Sequence, residues 1–280
     1  MNIKTNFKRG YSMYKMIALD MDGTLLNKSK EITQNTINHI QEARKNGVKV
    51  VLASGRPIEG LKKYLKQLDL IKENEYVLSY NGCLVQEIES KKIIHEVGIK
   101  GKDLHYINDL SKKIGVHIHA FSPEIGLIAE NVSRYTEHEA IMNGIEINKI
   151  DFNDIDDNDD IIKIMMVDEP EILESAIKKI PQQVYEKYTV VRSAPFFLEF
   201  INKEGDKGVG LKALAKHLNI KREEIIAMGD AGNDLAMIKY AGLGVAMGNA
   251  TEEVKKESDY ITKTNEEDGV ANVINKFILN

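Results

Sequence analysis

"IALDMDGTLL", residues 17–26, runs an apolar stretch straight into two carboxylates two residues apart, Asp20 and Asp22, with a glycine behind them. "MIALD" (16–20) reads as a buried strand, and a buried strand seldom ends in two acids unless a cation lies near. At an effective dielectric near 20, two like charges about 4 Å apart repel by about 4 kcal/mol. What the rest of the chain brings to this strand end therefore decides both fold and chemistry.

"VKVVLAS" (48–54) is a second near-continuous apolar strand, and "YVLSYNG" (76–82) a third. Between them, Ile37, Ile40 and Ala43 share a helix face that stops at Asn46-Gly47. Pro57 opens another helix, carrying Ile58, Leu61, Leu65 and Leu68. Strand, helix, strand, helix, strand with uniformly apolar strands predicts a parallel sheet covered on both faces. The rhythm breaks after Gly82. Residues 84–200 hold short strands such as "VHIHAF" (116–121), "GLIAE" (126–130), "IIKIMMV" (161–167) and "FFLEF" (196–200), with helices near 101–114 and 170–180. That pattern predicts an α+β insert with a partly antiparallel sheet. From residue 201 the α/β rhythm returns, with a helix through Leu211, Leu214, Ala215 and Leu218 and the strand "EIIAMGD" (224–230). "LGVAM" (243–247), "YIT" (260–262) and a last helix with Val270, Val273, Ile274 and Phe277 complete it. The expected division is a core over 14–83 and 201–280, interrupted by an insert over 84–200. The interruption follows a strand end, the edge of an open α/β sheet where ligands bind.

The 280 residues are 42% hydrophobic and 29% charged, enough for a large core and too many for one typical domain. The net charge is −5 with Lys and Arg dispersed, so no basic stripe suits nucleic acid and no polybasic helix suits a membrane surface. No apolar run reaches the roughly 18 residues of a membrane span. Cys83 stands alone, which excludes an internal disulfide framework and a Cys-rich zinc site and fits a cytoplasmic location. "MNIKTNFKRGYSM" (1–13) is basic without a following apolar segment, so it reads as a mobile extension rather than a secretory leader, with Met13 an alternative start. Nothing in the residues decides an oligomeric state.

Four pieces fall at strand ends: Asp20 with Asp22, Ser54 with Gly55, Lys207 in "GDKGVG" (205–210), and Asp230 with Asp234 in "GDAGND" (229–234). Carboxylates gathered without His or Cys call for a hard cation, Mg²⁺. The lysine and second acid exceed what a metal needs, and phosphoryl transfer accounts for them. Asp20 would be the nucleophile, forming an aspartyl-phosphate. Asp22 can protonate the leaving oxygen and later activate water. A serine hydroxyl and the N–H groups of a small turn can hold phosphate oxygens.

"DMDGTL" (20–25), "ASGR" (53–56), "GDKGVG" and "GDAGND" together resemble the four motifs of the haloacid dehalogenase-like hydrolase superfamily, in the order and spacing of its Cof-type branch. "YNGCLV" (80–85), "VVRSAPFFLEF" (190–200) and "DGVANVINKFILN" (268–280) are similar to the YidA-type sugar phosphatases, so the resemblance runs from about Tyr14 to Asn280. It implies a Rossmann-like doubly wound parallel sheet with an inserted α+β cap of the C2 type. It implies that Asp20 is the nucleophile and metal ligand, and that Asp22 is the general acid/base with its backbone carbonyl on the metal. Asp230 is implied as the metal-binding acid, supported by Asp234 and Thr24. Ser54, Gly55, Lys207, Asn233 and the amide of Met21 are implied as phosphate contacts. The implied cofactor is Mg²⁺ and the implied partner a small phosphate ester. Phosphotransfer or mutase chemistry through the same intermediate differs only in what attacks the phospho-aspartate. A receiver-like phospho-aspartate switch would share the acids and lysine. The long insert and the placement of Asp22 argue against that reading.

Other signals fail. "DFNDIDDNDD" (151–160) is not a calcium loop, because counting from Asp154 puts Asp159 at the glycine position and Met165 at the closing glutamate. "GLGVAMG" (242–248) lacks the glycine spacing of a dinucleotide fingerprint. Within the insert, His117 and His119 alternate with Val116, Ile118 and Ala120 and share a sheet face with Phe121. The aliphatic face is expected to pack on the cap helices and the His117/His119/Phe121 face to line a specificity pocket, with a solvated face as the other reading. Asn81-Gly82, at the cap junction, is expected to be a hinge or a substrate contact.

Overall fold

The computed structural model describes residues 13–280, and the expected extension lies outside them but for Met13. β1 (Met16–Asp20) is buried along its whole length. α1 (Gln34–Lys45) starts where the Thr33 side chain accepts the Thr36 N–H, and buries Ile40 and Ala43. It ends at Asn46-Gly47, the glycine at φ +82°. β2 (Lys49–Ala53), α2 (Ile58–Gln67) and β3 (Tyr76–Ser79) follow as the pattern predicts.

The chain then reverses through Tyr80, Asn81 and Gly82, three successive residues at φ +50°, +57° and +82°. β4 (Leu84–Glu87) therefore runs antiparallel to β3, and β5 (Ile93–Glu96) antiparallel to β4. This corrects the expected boundary at residue 83, because the core sheet continues to Glu96. "LVQE" and "IIHE" look like insert strands, and their membership was decided by the reversal, which no periodicity reveals.

The insert proper contains β6 (Ile99–Lys100), α3 (Gly101–Ile114), β7 (His117–Ser122), β8 (Gly126–Ala129), α4 (Arg134–Asn143), β9 (Ile147–Lys149) and β10 (Asp160–Ile161). It continues with β11 (Lys163–Val167), α5 (Pro170–Ile177), α6 (Gln182–Lys187), β12 (Tyr188–Ala194) and β13 (Phe197–Asn202). Six of its strands form a sheet in the order β12-β13-β11-β7-β8-β9, antiparallel except for β8–β9. Ile118, Ala120, Ile164 and Met166 pack on one face against Leu104 and Ile107 of α3 and Leu173 of α5. Phe121, Met165 and Phe197 occupy the other face with Ala140 of α4 and with Tyr80, Cys83 and Leu84 of the junction, so this face looks toward the core.

The core resumes with α7 (Lys207–His217), β14 (Ile225–Gly229), α8 (Leu235–Tyr240), β15 (Leu243–Ala246), α9 (Glu252–Glu257), β16 (Tyr260–Ile261) and α10 (Gly269–Ile274). The sheet order is β16-β15-β14-β1-β2-β3-β4-β5, parallel from β16 to β3. One face packs Ile17, Leu19, Val50 and Leu52 against Ile40, Leu61 and Val273. The other packs Met16, Ala18 and Val51 against Leu211, Leu214 and Met237. Helices on both faces make the sheet doubly wound, with an antiparallel hairpin at one edge. Register sets Leu19 beside Met228 and Asp20 beside Ala53. The acids of β1, the Ser54 turn and Asp230 therefore emerge at one level. No helix among the described residues is long and apolar enough to cross a membrane.

Candidate active site

β1 carries Asp20 to the floor of a cleft of about 600 Å³ that lies between the core sheet edge and the insert. The carboxylate is nearly buried, and Lys207, which is wholly buried, donates to its Oδ1 at 2.5 Å and to Oδ1 of Asp234 at 2.7 Å. Lys207 occupies this position because it opens α7, whose N-cap Asp206 accepts the Val209 N–H. Gly82 abuts the Asp206 carbonyl so closely that a side chain there would displace the helix start. Burial pushes Asp20 well above the usual carboxylate range; Lys207 opposes the rise and the charges of Asp234 and Asp230 add to it. Burial also works against the Lys207 ammonium, but Asp20 and Asp234 overrule it and hold it protonated.

Asp20, Asp230 and Asp234 each present a carboxylate oxygen within 4.8 Å of the others. Asp234 is wholly buried, and its second oxygen accepts the N–H groups of Asp230 and Ala231 at 2.9 and 3.0 Å. It therefore supports the cluster from within rather than offering a free face. Asp230 is pushed up by burial and by Asp234, a rise eased by the Thr24 hydroxyl that donates at 3.1 Å. Carboxylate oxygens gathered this closely suit a hard divalent cation, which would relieve their mutual repulsion. Gly23, at φ +91°, makes the approach possible: a Cβ there would fall inside the Asp230 carboxylate. Gly23→Ala is expected to cost at least about 1–2 kcal/mol from the left-handed backbone alone. Displacement of Asp230 is expected to lower activity by about 10²-fold or more. Thermal unfolding and steady-state rates check the two losses separately.

The remaining sequence-predicted residues divide into two groups. Ser54, Gly55, Asn81 and Asn233 line the cleft with Asp20 and Asp22. The Ser54 hydroxyl accepts the Arg56 N–H, and Asn233 donates to Oδ1 of Asn81 at 3.0 Å. Met21 buries its side chain in the core below, leaving its backbone at the strand end. His117, His119 and Phe121 do not line the cleft. Phe121 and His119 are wholly buried in the layer under α4, and His117 is exposed at the far end of β7 beside Val167. β7 alternates as expected, but α4 covers His119 and Phe121, which the strand pattern could not show.

His119 bonds the Thr136 hydroxyl through Nδ1 at 3.2 Å and lies 3.3 Å from the Met165 sulfur through Nε2. Burial, aided by Lys163, pushes it down to about 3. The unfolded chain takes up this proton near pH 6.5 and the folded chain does not, so stability is lost as pH falls from about 6.5 toward 3. His119→Gln is expected to flatten the pH dependence of the unfolding midpoint across that window, measured by denaturant titration.

Two cations in or near these motifs, unmarked by any strand-end pattern, complete the site. Arg56, the last residue of "ASGR", holds both oxygens of Asp22 at 2.8 Å, and Lys30 donates to Asp22 Oδ1 at 2.6 Å. Partial burial favours the protonated acid, but these bonds hold Asp22 below the usual carboxylate range. Lys163, with Glu139 and Glu199, lines the roof of the cleft, a further group that the motifs do not include. The available signal was a lysine in the middle of the otherwise apolar "IIKIMMV".

A family model described as haloacid dehalogenase-like hydrolase matches residues 17–274, nearly the whole described chain. The chain belongs to the haloacid dehalogenase-like hydrolases. Within this family it is 41% identical over 268 residues to YxeH of Bacillus subtilis (strain 168), covering 95% of this chain and 99% of the relative. It is 33% identical over 270 residues to YcsE of the same organism, named a 5-amino-6-(5-phospho-D-ribitylamino)uracil phosphatase, covering 95% and 96%. BT4131, described as a sugar phosphatase of subclass IIB, superposes with a TM-score of 0.73 at 25% identity, covering 94% of this chain and 98% of that one. The chain is thus a phosphoric monoester hydrolase of the haloacid dehalogenase-like family.

Proposed function

We propose that the protein hydrolyses small, soluble sugar phosphates in the cytoplasm, with Mg²⁺ as cofactor and Asp20 as nucleophile. The observation that carries this reading is the convergence at one sheet edge of Asp20, which lines the cleft, with Lys207 and Asp230 beside it. Asp20 and Asp230, with the backbone carbonyl of Asp22, would hold the metal, and Asp234 and Thr24 would keep Asp230 in place. The metal when bound would neutralise phosphate charge that otherwise repels the Asp20 carboxylate.

Lys207 holds Oδ1 of Asp20, which leaves Oδ2 to attack phosphorus. As the Asp20–phosphorus bond forms, the bond to the leaving oxygen breaks and Asp22 supplies that oxygen with a proton. Asp22, now a carboxylate, takes a proton from water, which attacks phosphorus and releases Asp20 and inorganic phosphate. Ser54, Gly55, Asn233 and the Met21 amide would hold the equatorial oxygens.

Asp22 must be protonated for the first step, yet Arg56 and Lys30 hold it ionised without substrate. An entering phosphate dianion competes for both cations and repels the Asp22 charge. Both effects favour the protonated acid. A cleft roofed by the insert suits small esters rather than a phosphoprotein or duplex. The relatives' named activities, on a phosphoribityl compound and on sugars, point the same way.

Phosphate release from a panel of sugar phosphates and an aryl phosphate tests this reading. Release is expected to fall by about 10²-fold or more when a chelator removes Mg²⁺. Metal-dependent phosphorylation of Asp20 without release, or transfer only to added alcohols, would show that the hydrolytic role of Asp22 is wrong.

A further inference from the structure

Resting on that reading, we propose that Lys163, Glu139 and Glu199 form the subsite for the leaving group. It grips a neutral polyhydroxylated group by neighbouring hydroxyls and turns away one bearing a second phosphate.

Lys163 lies on β11 between Ile162 and Ile164, and its side chain is only 4% exposed. Glu199 reaches it from β13 at 3.3 Å and Glu139 from α4 at 3.8 Å, the carboxylate side chains 13% and 6% exposed. The ammonium sits 4.8 Å from the Phe121 ring centroid and 5.9 Å from that of Tyr80, which fixes it against the junction between insert and core. All three side chains line the same cleft as Asp20. A cleft of about 600 Å³ has room for much more than a phosphate.

The ammonium has three N–H donors, and Glu199 is the one carboxylate within hydrogen-bond distance of it among the described residues. Glu139 stands just too far away for a hydrogen bond, so a group seated against both from the cleft can accept from Lys163 and donate to a glutamate. A hydroxyl does both at once, and two adjacent hydroxyls satisfy the ammonium and both carboxylates. Two carboxylates face one ammonium, and burial with the Glu199 charge already pushes Glu139 up, so a second phosphate would bring further negative charge to a place that disfavours it. An ester without hydroxyls would form none of these bonds with the nearly dry groups, and a site built to hydrogen-bond a substrate hydroxyl discriminates strongly against an analogue that lacks it. Phe121 thus bears on selectivity from beneath Lys163, without touching substrate.

The test compares kcat/KM for a hexose 6-phosphate, its dideoxy counterpart, a hexose bisphosphate and p-nitrophenyl phosphate. It uses the wild type, Glu139→Gln, Glu199→Gln and Lys163→Met. The wild type is expected to prefer the hexose monophosphate to the dideoxy ester and to the bisphosphate by about 10²-fold or more. Each variant is expected to shrink the hexose-to-aryl ratio by about 10-fold or more, chiefly through KM. Glu139→Gln should also narrow the gap to the bisphosphate. If Lys163→Met does not fold, Glu139→Gln, on the separate helix α4, carries the test. Ratios unchanged in the folded variants, or a wild type that turns over the dideoxy ester or the bisphosphate as well as the monophosphate, would overturn the subsite while leaving the phosphatase reading standing. A wild type that releases phosphate from no ester, the aryl ester included, would overturn both.

Discussion

Asp20→Asn is expected to lower phosphate release by at least about 10⁴-fold, because the amide cannot act as the nucleophile. The same variant should be at least as stable as the parent in the absence of metal. The cluster holds three carboxylates against one buried ammonium, and burial together with Asp234 and Asp230 already makes ionised Asp20 unfavourable. Removing that charge relieves the repulsion, while Lys207 keeps Asp234 at 2.7 Å. The thermal midpoint with chelator should hold or rise, and its increase on adding Mg²⁺ should shrink because a ligand oxygen is lost. A large activity loss with a lowered metal-free midpoint would mean that Asp20 is a structural partner of Lys207 first. Calorimetry with and without Mg²⁺, beside the rate assay, separates the two.

Lys207→Met is expected to lose both activity and stability. Its Nζ is wholly buried and donates to two carboxylates. Removing one partner of a buried ion pair leaves uncompensated charge and costs about 3–5 kcal/mol. Here two acids are orphaned beside a third, so the loss should fall at the upper end. Lowering pH, by protonating the orphaned acids, should recover part of the stability, and Mg²⁺ should recover part by supplying the missing positive charge. Activity should drop by about 10³-fold or more, since the lysine both orients Asp20 and offsets phosphate charge. Denaturant midpoints at pH 5 and pH 8 check the sign: a variant whose deficit does not shrink at the lower pH would show that packing, not charge, dominates at this position.

Much of the core was legible along the chain. β1, β2, β3 and β14 are short, apolar and punctuated by the helix signals at Asn46-Gly47 and Pro57, so periodicity located them and the strand ends located Asp20, Ser54 and Asp230. The insert was legible as a class, because short alternating strands read as α+β wherever they pair. Its detail was not. Whether Leu84–Glu87 joins the core sheet depends on three left-handed residues at Tyr80, Asn81 and Gly82. Whether His119 faces the cleft depends on where α4 lies. Lys163 looked like an anomaly in an apolar strand because Glu139, 24 residues earlier, and Glu199, 36 residues later, carry no local mark of their partnership.

By itself the sequence determined the acid-tipped strands, the lysine at the start of α7 and the doubly wound core that follows from continuous apolar strands. These rest on local rules, namely backbone propensity, burial of a repeating face and the spacing of a few residues along one strand or turn. Only the tertiary structure decided that Arg56 and Lys30 clamp Asp22, that Lys207 bridges Asp20 and Asp234, and that Lys163 sits between two glutamates on the cleft roof. Electrostatic partnership depends on distance and burial rather than order along the chain, and Asp20 and Lys207 become neighbours only when β1 and α7 have packed.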